Sequence, residues 1–573
     1  MPYPAASVKQ IHDMLTAKGA PFEMKVENVL GVEMRTYANA PPSLAAIFEM
    51  SRAWGDLPLA VYENERVSYK AATNAAAKLA HIFINDYGVK KGDRIALIMR
   101  NLPEWIVIFW AAVLSGAIIS PLNAWWTAEE LEYGLNDCGA KLVISDAASF
   151  KRVAPKIAGL KCAEHFIVAR AGKNDIGATA ALEALIGDSA SWNAIPHQTI
   201  PEVKMLPDDI VTLFYTSGTT GSPKGAYGTH RNCITNLMNT MVAQARMYIR
   251  RGEKPPEPDP TLPRKASLMS IPLFHVTACH SVMVVSMAAG TKIVMMHKWD
   301  ALKALEIIEC EQITSLGGVP TIAWQILEHP QFDEFNVDSV EVVSYGGAPS
   351  APELVKRIVE GFPNVQPGQG YGLSETSAAV TLNIGEDYRA KPTSCGPISP
   401  INDVKVIGGD GKEVALGEVG ELWVKGPNVV VGYWNKPEAT AEAFQNGWFK
   451  TGDLVKMDDE GFLYIVDRAK DMIIRGGENV YCAEIEDILY KHPEVFDAAI
   501  VGVPHKQLGE EVGAAISVPE GVEVTLEEIK ALVGAHLASF KVPVHLKVFH
   551  EPLPRNANGK IMKRDLRELF VPN

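Results

Sequence analysis

Cysteine is scarce and scattered. The seven thiols among 573 residues (Cys138, Cys162, Cys233, Cys279, Cys310, Cys395 and Cys482) are odd in number and include no CxxC pair. That spacing argues against a disulfide framework and a cysteine-based zinc site, and predicts reduced thiols in the cytosol. Positive charge is in deficit: 54 Lys and Arg against 68 Asp and Glu give a formal net charge of -14. With no local basic run, nucleic acid is not an expected partner. No apolar run reaches the ~20 residues needed to span a bilayer. The greasiest stretch, "IVIFWAAVLSGAIIS" at 106–120, lies between Pro103 and Pro121 and reads as a core helix leading into a strand. The opening "MPYPAASVKQIHDML" lacks the charged-then-apolar layout of a signal peptide. The expectation is a cytoplasmic protein without an integral membrane segment.

What the chain does have is length and alternation. At roughly 100–200 residues per domain, it is too long for one core. Near-continuous apolar runs recur at "RIALIM" (94–99), "KLVISD" (141–146), "IVTLFYTS" (210–217), "TKIVMM" (291–296) and "VEVVSYGG" (340–347). Such runs mark strands covered on both faces, hence largely parallel sheets. Helical patterns separate them, as in "DALKALEIIECEQ" at 300–312. The reading is an α/β fold with a large N-terminal domain of mainly parallel sheets and flanking helices, over residues 1–469. The last ~100 residues read as a small α+β domain, 470–573, with the boundary in "DRAKD" at 467–471. The proline-rich, charge-alternating "RRGEKPPEPDPTLPRK", beginning at Arg250, reads as a solvated loop.

The densest chemical signal is "YTSGTTGSPKG" at 215–225. Glycines let backbone N–H groups approach a ligand closely, hydroxyls add donors, and Lys224 adds a fixed charge. A strand opening into such a loop is suited to gripping a polyphosphate. It is not a Walker loop: Pro223 stands at the second glycine position and Gly225 follows the lysine.

Further along come "SYGGAP" (344–349), "QGYGLSET" (369–376), "WFKTGDL" (448–454), "YIVDRAKDMIIRGGENVY" (464–481) and "LPRNANGK" (553–560). In this order, after the hydroxyl loop, the set resembles the adenylate-forming superfamily, in its acyl-CoA synthetase branch. The resemblance runs from about Ser43 to the end of the chain. It implies a two-step ligation with ATP, Mg²⁺ and CoA: a carboxylate forms an acyl adenylate, and a thiol then displaces AMP.

The resemblance also implies roles. Thr216, Ser217, Gly218, Thr219, Thr220, Gly221 and Lys224 would hold the β- and γ-phosphates. Glu375 would hold Mg²⁺ with the Thr216 hydroxyl nearby, and Ser374 would contact the α-phosphate. Adenine would lie between the backbone of Gly346, Gly347, Ala348 and Pro349 and the ring of Tyr371, within the segment Gln369, Gly370, Tyr371, Gly372. Asp453 would accept the ribose hydroxyls, or on its own residues serve as a turn former after Gly452; Arg468 would join it. Lys560 would bridge carboxylate and α-phosphate, a task suited to a point charge on a long stem. Lys470 matches the hinge of a mobile C-terminal domain, and after rotation Gly476, Gly477 and Glu478 would line the pantetheine path.

The acid itself is the thin part. "PLFHVTACH" at 272–280 resembles the segment at the mouth of the acyl pocket, and His275 stands where amino-acid-activating relatives carry an Asp. An α-amino acid is therefore disfavoured. His275 either orders the pocket mouth or is a satisfied core residue. Val276, Ala278, Cys279, Val282, Tyr345 and Gly346 are candidate pocket walls. They suit a medium- or long-chain fatty acid, with a bulky aryl acid, or an adenylate former loading a carrier protein, as alternatives. The expected oligomeric state is a monomer or homodimer.

Overall fold

The computed structural model describes residues 3–172, 179–216, 222–257, 263–346, 352–476, 478–555 and 561–570. The continuous apolar runs are strands of two eight-stranded sheets. In the first, Ile210–Thr216, Ile118–Pro121, Arg94–Ile98, Leu142–Asp146 and His165–Ala169 lie side by side and parallel. Antiparallel Lys224–Thr229 and Gly432–Tyr433 extend its edge beside Ile210–Thr216. In the second, Gln366–Leu373, Val342–Gly346, Ser315–Gly318, Ala266–Met269, Lys292–Met295 and Pro58–Tyr62 run parallel in that order.

Between them lies the shared core. The stretch at 106–120 is a helix followed by a strand, as its sequence predicts: Pro103–Leu114, then Ile118–Pro121. Pro103 at the first helical position presets the backbone, and Gly116, at φ 73°, lets the chain leave the helix. All 12 residues of this helix are buried. Trp105, Phe109 and Trp110 fill one apolar cluster with residues of both sheets, each such side chain contributing about 1.5–3 kcal/mol or more.

The expectation of mainly parallel sheets holds for these two. A third sheet, which the apolar runs do not announce, is antiparallel. It joins Asp403–Ile407, Gly420–Lys425, Trp448–Met457 and Phe462–Arg468. A turn at 469–472 leads to the C-terminal unit. Its sheet combines Ile473–Arg475, Glu478–Val480, Asp497–His505, Gly509–Ser517 and His545–Phe549, with helices Cys482–Leu489 and Leu526–Gly534 packed into the same apolar cluster. A closing helix, Lys563–Glu568, has no counterpart in the sequence reading.

One expectation is corrected. Arg250 does not begin a solvated loop. It ends the helix His230–Arg250, is 3% exposed, and holds Asp387 with Nε 2.7 Å from Oδ1. Charge alternation in sequence gave no sign that this cation is paired inside. Among the described residues, no helix is long and apolar enough to cross a membrane.

Candidate active site

Open α/β sheets hold ligands at the carboxyl ends of their parallel strands. Here Ile210–Thr216, Val342–Gly346 and Gln366–Leu373 end in motif residues singled out above, and Ser315–Gly318 ends beside them in two glycines. The strand Ile210–Thr216 runs into the hydroxyl loop and Lys224–Thr229 returns from it. Thr216 pairs with Lys224 across the two strands, its hydroxyl donating to the Lys224 carbonyl at 3.3 Å. The stems of the loop are thus fixed, and Lys224 stands at its exit.

The turn Ser374–Thr376 packs against both stems. Glu375 lies in it, buried at 8% exposure. Its Oε1 accepts the Tyr433 hydroxyl at 2.7 Å, and its backbone carbonyl accepts the Val430 N–H at 2.9 Å. Lys224 Nζ sits 5.1 Å from the centre of the Tyr433 ring. One tyrosine thus touches the lysine with its ring and the carboxylate with its hydroxyl. Burial lifts the Glu375 carboxyl above its ordinary range, against the opposing pull of the Tyr433 hydroxyl and of Arg468. A buried carboxylate of this kind gains from a nearby cation. Ser377 and Ala378, at φ 51° and 92°, hold the turn in a left-handed backbone that non-glycine residues rarely adopt.

The glycines of the nucleotide segment have measurable reasons. Gly346 pairs with Gly370, and a Cβ on Gly346 would lie 2.6 Å from the Gly370 carbonyl oxygen. A Cβ on Gly372 would lie 1.6 Å from the Ala378 oxygen, at a register shift between Gln366–Leu373 and Ala378–Ile384. Gln369 accepts a hydrogen bond from Tyr388 at 2.7 Å, and the Tyr388 oxygen lies 2.6 Å from that of Tyr345.

Asp453 lies opposite Arg468 in the third sheet. Its Oδ2 accepts the Tyr371 hydroxyl at 2.7 Å and its Oδ1 lies 3.3 Å from Arg468 Nε. Each carboxylate oxygen has a further lone pair free for a ligand hydroxyl. Burial, with Asp453 alongside, pushes the Tyr371 phenol well above its ordinary value, so it stays a donor. The bond between Tyr371 and Asp453 brings the predicted adenine and ribose groups together, although 82 residues separate them.

Lys470 is exposed in the turn after Phe462–Arg468. Gly476, at φ 61°, donates to the Leu508 carbonyl at 2.8 Å, and Glu478 pairs with Arg475 in a tight hairpin. Ser217, Gly218, Thr219, Thr220, Gly221, Gly347, Ala348, Pro349, Gly477 and Lys560 lie outside the described residues.

The acid segment differs from expectation in one respect. The pocket-wall residues fall into two apolar clusters. Val276, Ala278 and Cys279 belong to the core between the sheets, with Val282 packed against it. Tyr345 belongs to a separate one. Tyr345 lines a small cleft together with Gly317, Gly318, Val319 and Ile322, which the sequence reading did not single out. The chain at Thr277–Met283 is a π-helix, a form often found at functional sites. His275 just precedes it, its ring against Phe274 at 4.6 Å.

Tyr433 is the functional residue that sequence reasoning missed. It lies in "VVVGYWN", whose only hint is an aromatic after a glycine, and its link to Glu375 spans 58 residues.

For a magnesium ion, the donor set fits. Glu375 offers a carboxylate and Thr216 a hydroxyl, both oxygen donors, as a hard cation prefers. Among the described residues no group of three or more His, Cys, Asp or Glu side chains forms a metal cluster.

Comparison with known proteins shows the family. A family model described as AMP-binding enzyme matches residues 47–434, and one described as AMP-binding enzyme C-terminal domain matches 484–560. A long-chain-fatty-acid–CoA ligase, FadD13 of Mycobacterium tuberculosis, is 35% identical over 94% of this chain and 98% of its own. Feruloyl-CoA synthase of an Amycolatopsis species is 34% identical over 88% of this chain and 94% of its own. Among solved structures, ATP-bound MatB from Rhodopseudomonas palustris superposes with a TM-score of 0.77 at 27% identity, covering 91% of this chain and 99% of that one.

Proposed function

Because the chain belongs to the AMP-binding enzyme family, we propose that it is an ATP-dependent acid–CoA ligase that activates a hydrophobic carboxylic acid, a medium- or long-chain fatty acid first among them. The observation that carries this is the Lys224–Tyr433–Glu375 arrangement beside the stems of the hydroxyl loop. It sets a fixed cation near a buried carboxylate, which supports a site for a polyphosphate and its metal. The long-chain-fatty-acid–CoA ligase relative supports the acid class.

The reaction runs in two steps. A carboxylate oxygen attacks the α-phosphorus of ATP and pyrophosphate leaves. The CoA sulfur then attacks the acyl carbon and AMP leaves. Preorganised donors lower such barriers most. In the first step, Thr216 and Lys224, with Ser217 to Gly221 between them, hold the β- and γ-phosphates. Ser374 bonds the α-phosphate, and Lys560 neutralises the approaching carboxylate. Asp453 and Arg468 hold the ribose, and Gly346 to Pro349 with Tyr371 hold adenine. His275 orders the mouth of the acid site. Glu375 and the Thr216 hydroxyl would hold magnesium, which when bound would neutralise charge on the phosphates.

For the second step the C-terminal unit, from residue 470 onward, turns about Lys470 and brings Gly476, Gly477 and Glu478 to the pantetheine path. The seven free thiols suit a reducing compartment, so the reading includes the cytoplasm, with a monomer or homodimer as the working unit.

The second reading is an aryl-acid ligase, favoured by the feruloyl-CoA synthase relative at nearly the same identity. Thioester formation over a panel of fatty, aryl and α-amino acids separates the two. Fatty acids with the highest kcat/KM support the first reading and aryl acids the second. A preference for α-amino acids contradicts both, because the segment offers His275 and no carboxylate to their ammonium group.

A further inference from the structure

Two adjacent tryptophans face the acid segment and the stem of the hydroxyl loop. Trp125 and Trp126 lie between the strand Ile118–Pro121 and the helix Ala128–Cys138. The Trp125 ring meets the Phe274 ring edge-on at 5.3 Å, and Phe274 in turn touches His275 at 4.6 Å. The Trp126 ring meets Tyr215 edge-on at 5.9 Å, one residue before Thr216. From one dipeptide, a ring therefore reaches the acid segment and another reaches the stem of the phosphate loop.

The dipeptide is firmly seated. Arg152 donates to the carbonyls of Ala124 and Trp126 at 2.5 and 3.0 Å. The Asn123 side chain accepts the Trp125 N–H at 2.8 Å. Trp126 lies on bare backbone: a Cβ on Gly134 would come within 2.8 Å of its ring. The helix that follows also holds the loop. Its Asp137 accepts the Tyr215 hydroxyl at 2.8 Å, and its Tyr133 donates to the Pro223 carbonyl at 3.0 Å. Across the gap, Asn101 pins the acid segment, accepting the Leu273 N–H at 2.8 Å and donating to the Ile271 carbonyl at 2.9 Å. Trp125 is 43% exposed, so burial alone does not account for a ring of that size there, whereas Phe274 is 4% exposed.

We propose that Trp125 and Trp126 are positioning residues with divided tasks. Trp125, through Phe274, sets the His275 segment and hence the fit of the acid. Trp126, through Tyr215, sets the stem of the hydroxyl loop and hence the fit of ATP. The inference rests on the ligase reading above.

Its test is a double dissociation in steady-state kinetics, with thermal melting to check folding. An aromatic edge contact is worth enough to move a KM by about three- to tenfold. Trp125→Ala raises KM for the acid by about that factor and leaves KM for ATP unchanged, while Trp125→Phe restores most of the loss. Trp126→Ala does the reverse, raising KM for ATP alone, and Trp126→Phe restores most of that loss. Gly134→Ala, which displaces the Trp126 ring without removing it, reports on the same contact if Trp126→Ala fails to fold. Variants that shift acid and ATP together, or shift only KM for CoA, overturn the division of tasks while the wild type still makes thioester. A wild type that activates no acid overturns the ligase reading and this inference with it.

Discussion

The Tyr433 hydroxyl donates to Glu375 Oε1 at 2.7 Å while Lys224 Nζ lies over the same ring. A buried carboxylate, a neutral donor and a fixed cation are thereby held in one line at the loop exit. The carboxylate is costly to the nucleotide-free protein, because burial lifts its pKa.

Glu375→Gln should therefore separate stability from activity. A carboxyl raised in the folded state costs stability once it ionises, so the substitution relieves that cost at neutral pH. The melting temperature of the nucleotide-free variant should exceed that of wild type at pH 8. The gain should vanish below the ordinary glutamate pKa of about 4.3, where the group is protonated in both states. Adenylation should fall by about 10²–10³-fold, the scale seen when a charge-stabilising group is lost. A variant less stable at pH 8 and more so in acid would reverse the sign and refute the cost.

Asp453→Ala removes the acceptor shared by Tyr371 and Arg468. Hydrogen bonds to a charged group are worth roughly 1.5–3 kcal/mol, so KM for ATP should rise by about 10- to 100-fold with KM for the acid little changed. An unchanged KM for ATP would assign Asp453 to the sheet alone.

Lys560→Ala should abolish formation of the acyl adenylate yet leave transfer from a supplied acyl adenylate to CoA largely intact. Equal loss of both half-reactions would refute that division of labour.

The thiols give a test that needs no substrate. Cys162 and Cys310 are exposed, and the other five cysteines are buried. Burial pushes Cys138 and Cys395 up to about 12 and Cys233 well above its ordinary value. A native titration with a thiol reagent at neutral pH should read two reactive groups, rising to seven in denaturant. Rapid reaction of a third group in the native protein would contradict the burial of the other five.

Much of the scaffold was legible because burial on both faces writes itself as apolar runs: 94–99 and 141–146 became Arg94–Ile98 and Leu142–Asp146. The antiparallel sheet was not, although Gly420–Lys425 alternates buried and half-buried residues along its length. Period-two alternation over six residues is a weak signal beside a long apolar run. Of the motif glycines, 346 and 372 stand where an added Cβ would strike backbone. Tyr433, the π-helix Thr277–Met283 and the buried Arg250–Asp387 pair were not read, since each depends on contacts distant in sequence or on a hydrogen-bond shift that no residue type encodes.

The most direct test of the account is exchange of labelled pyrophosphate into ATP by the purified protein, with and without a fatty acid. The account predicts exchange that depends on the acid and on magnesium, and release of AMP once CoA is added. Hydrolysis of ATP to ADP and phosphate, or exchange indifferent to any carboxylic acid, would contradict it.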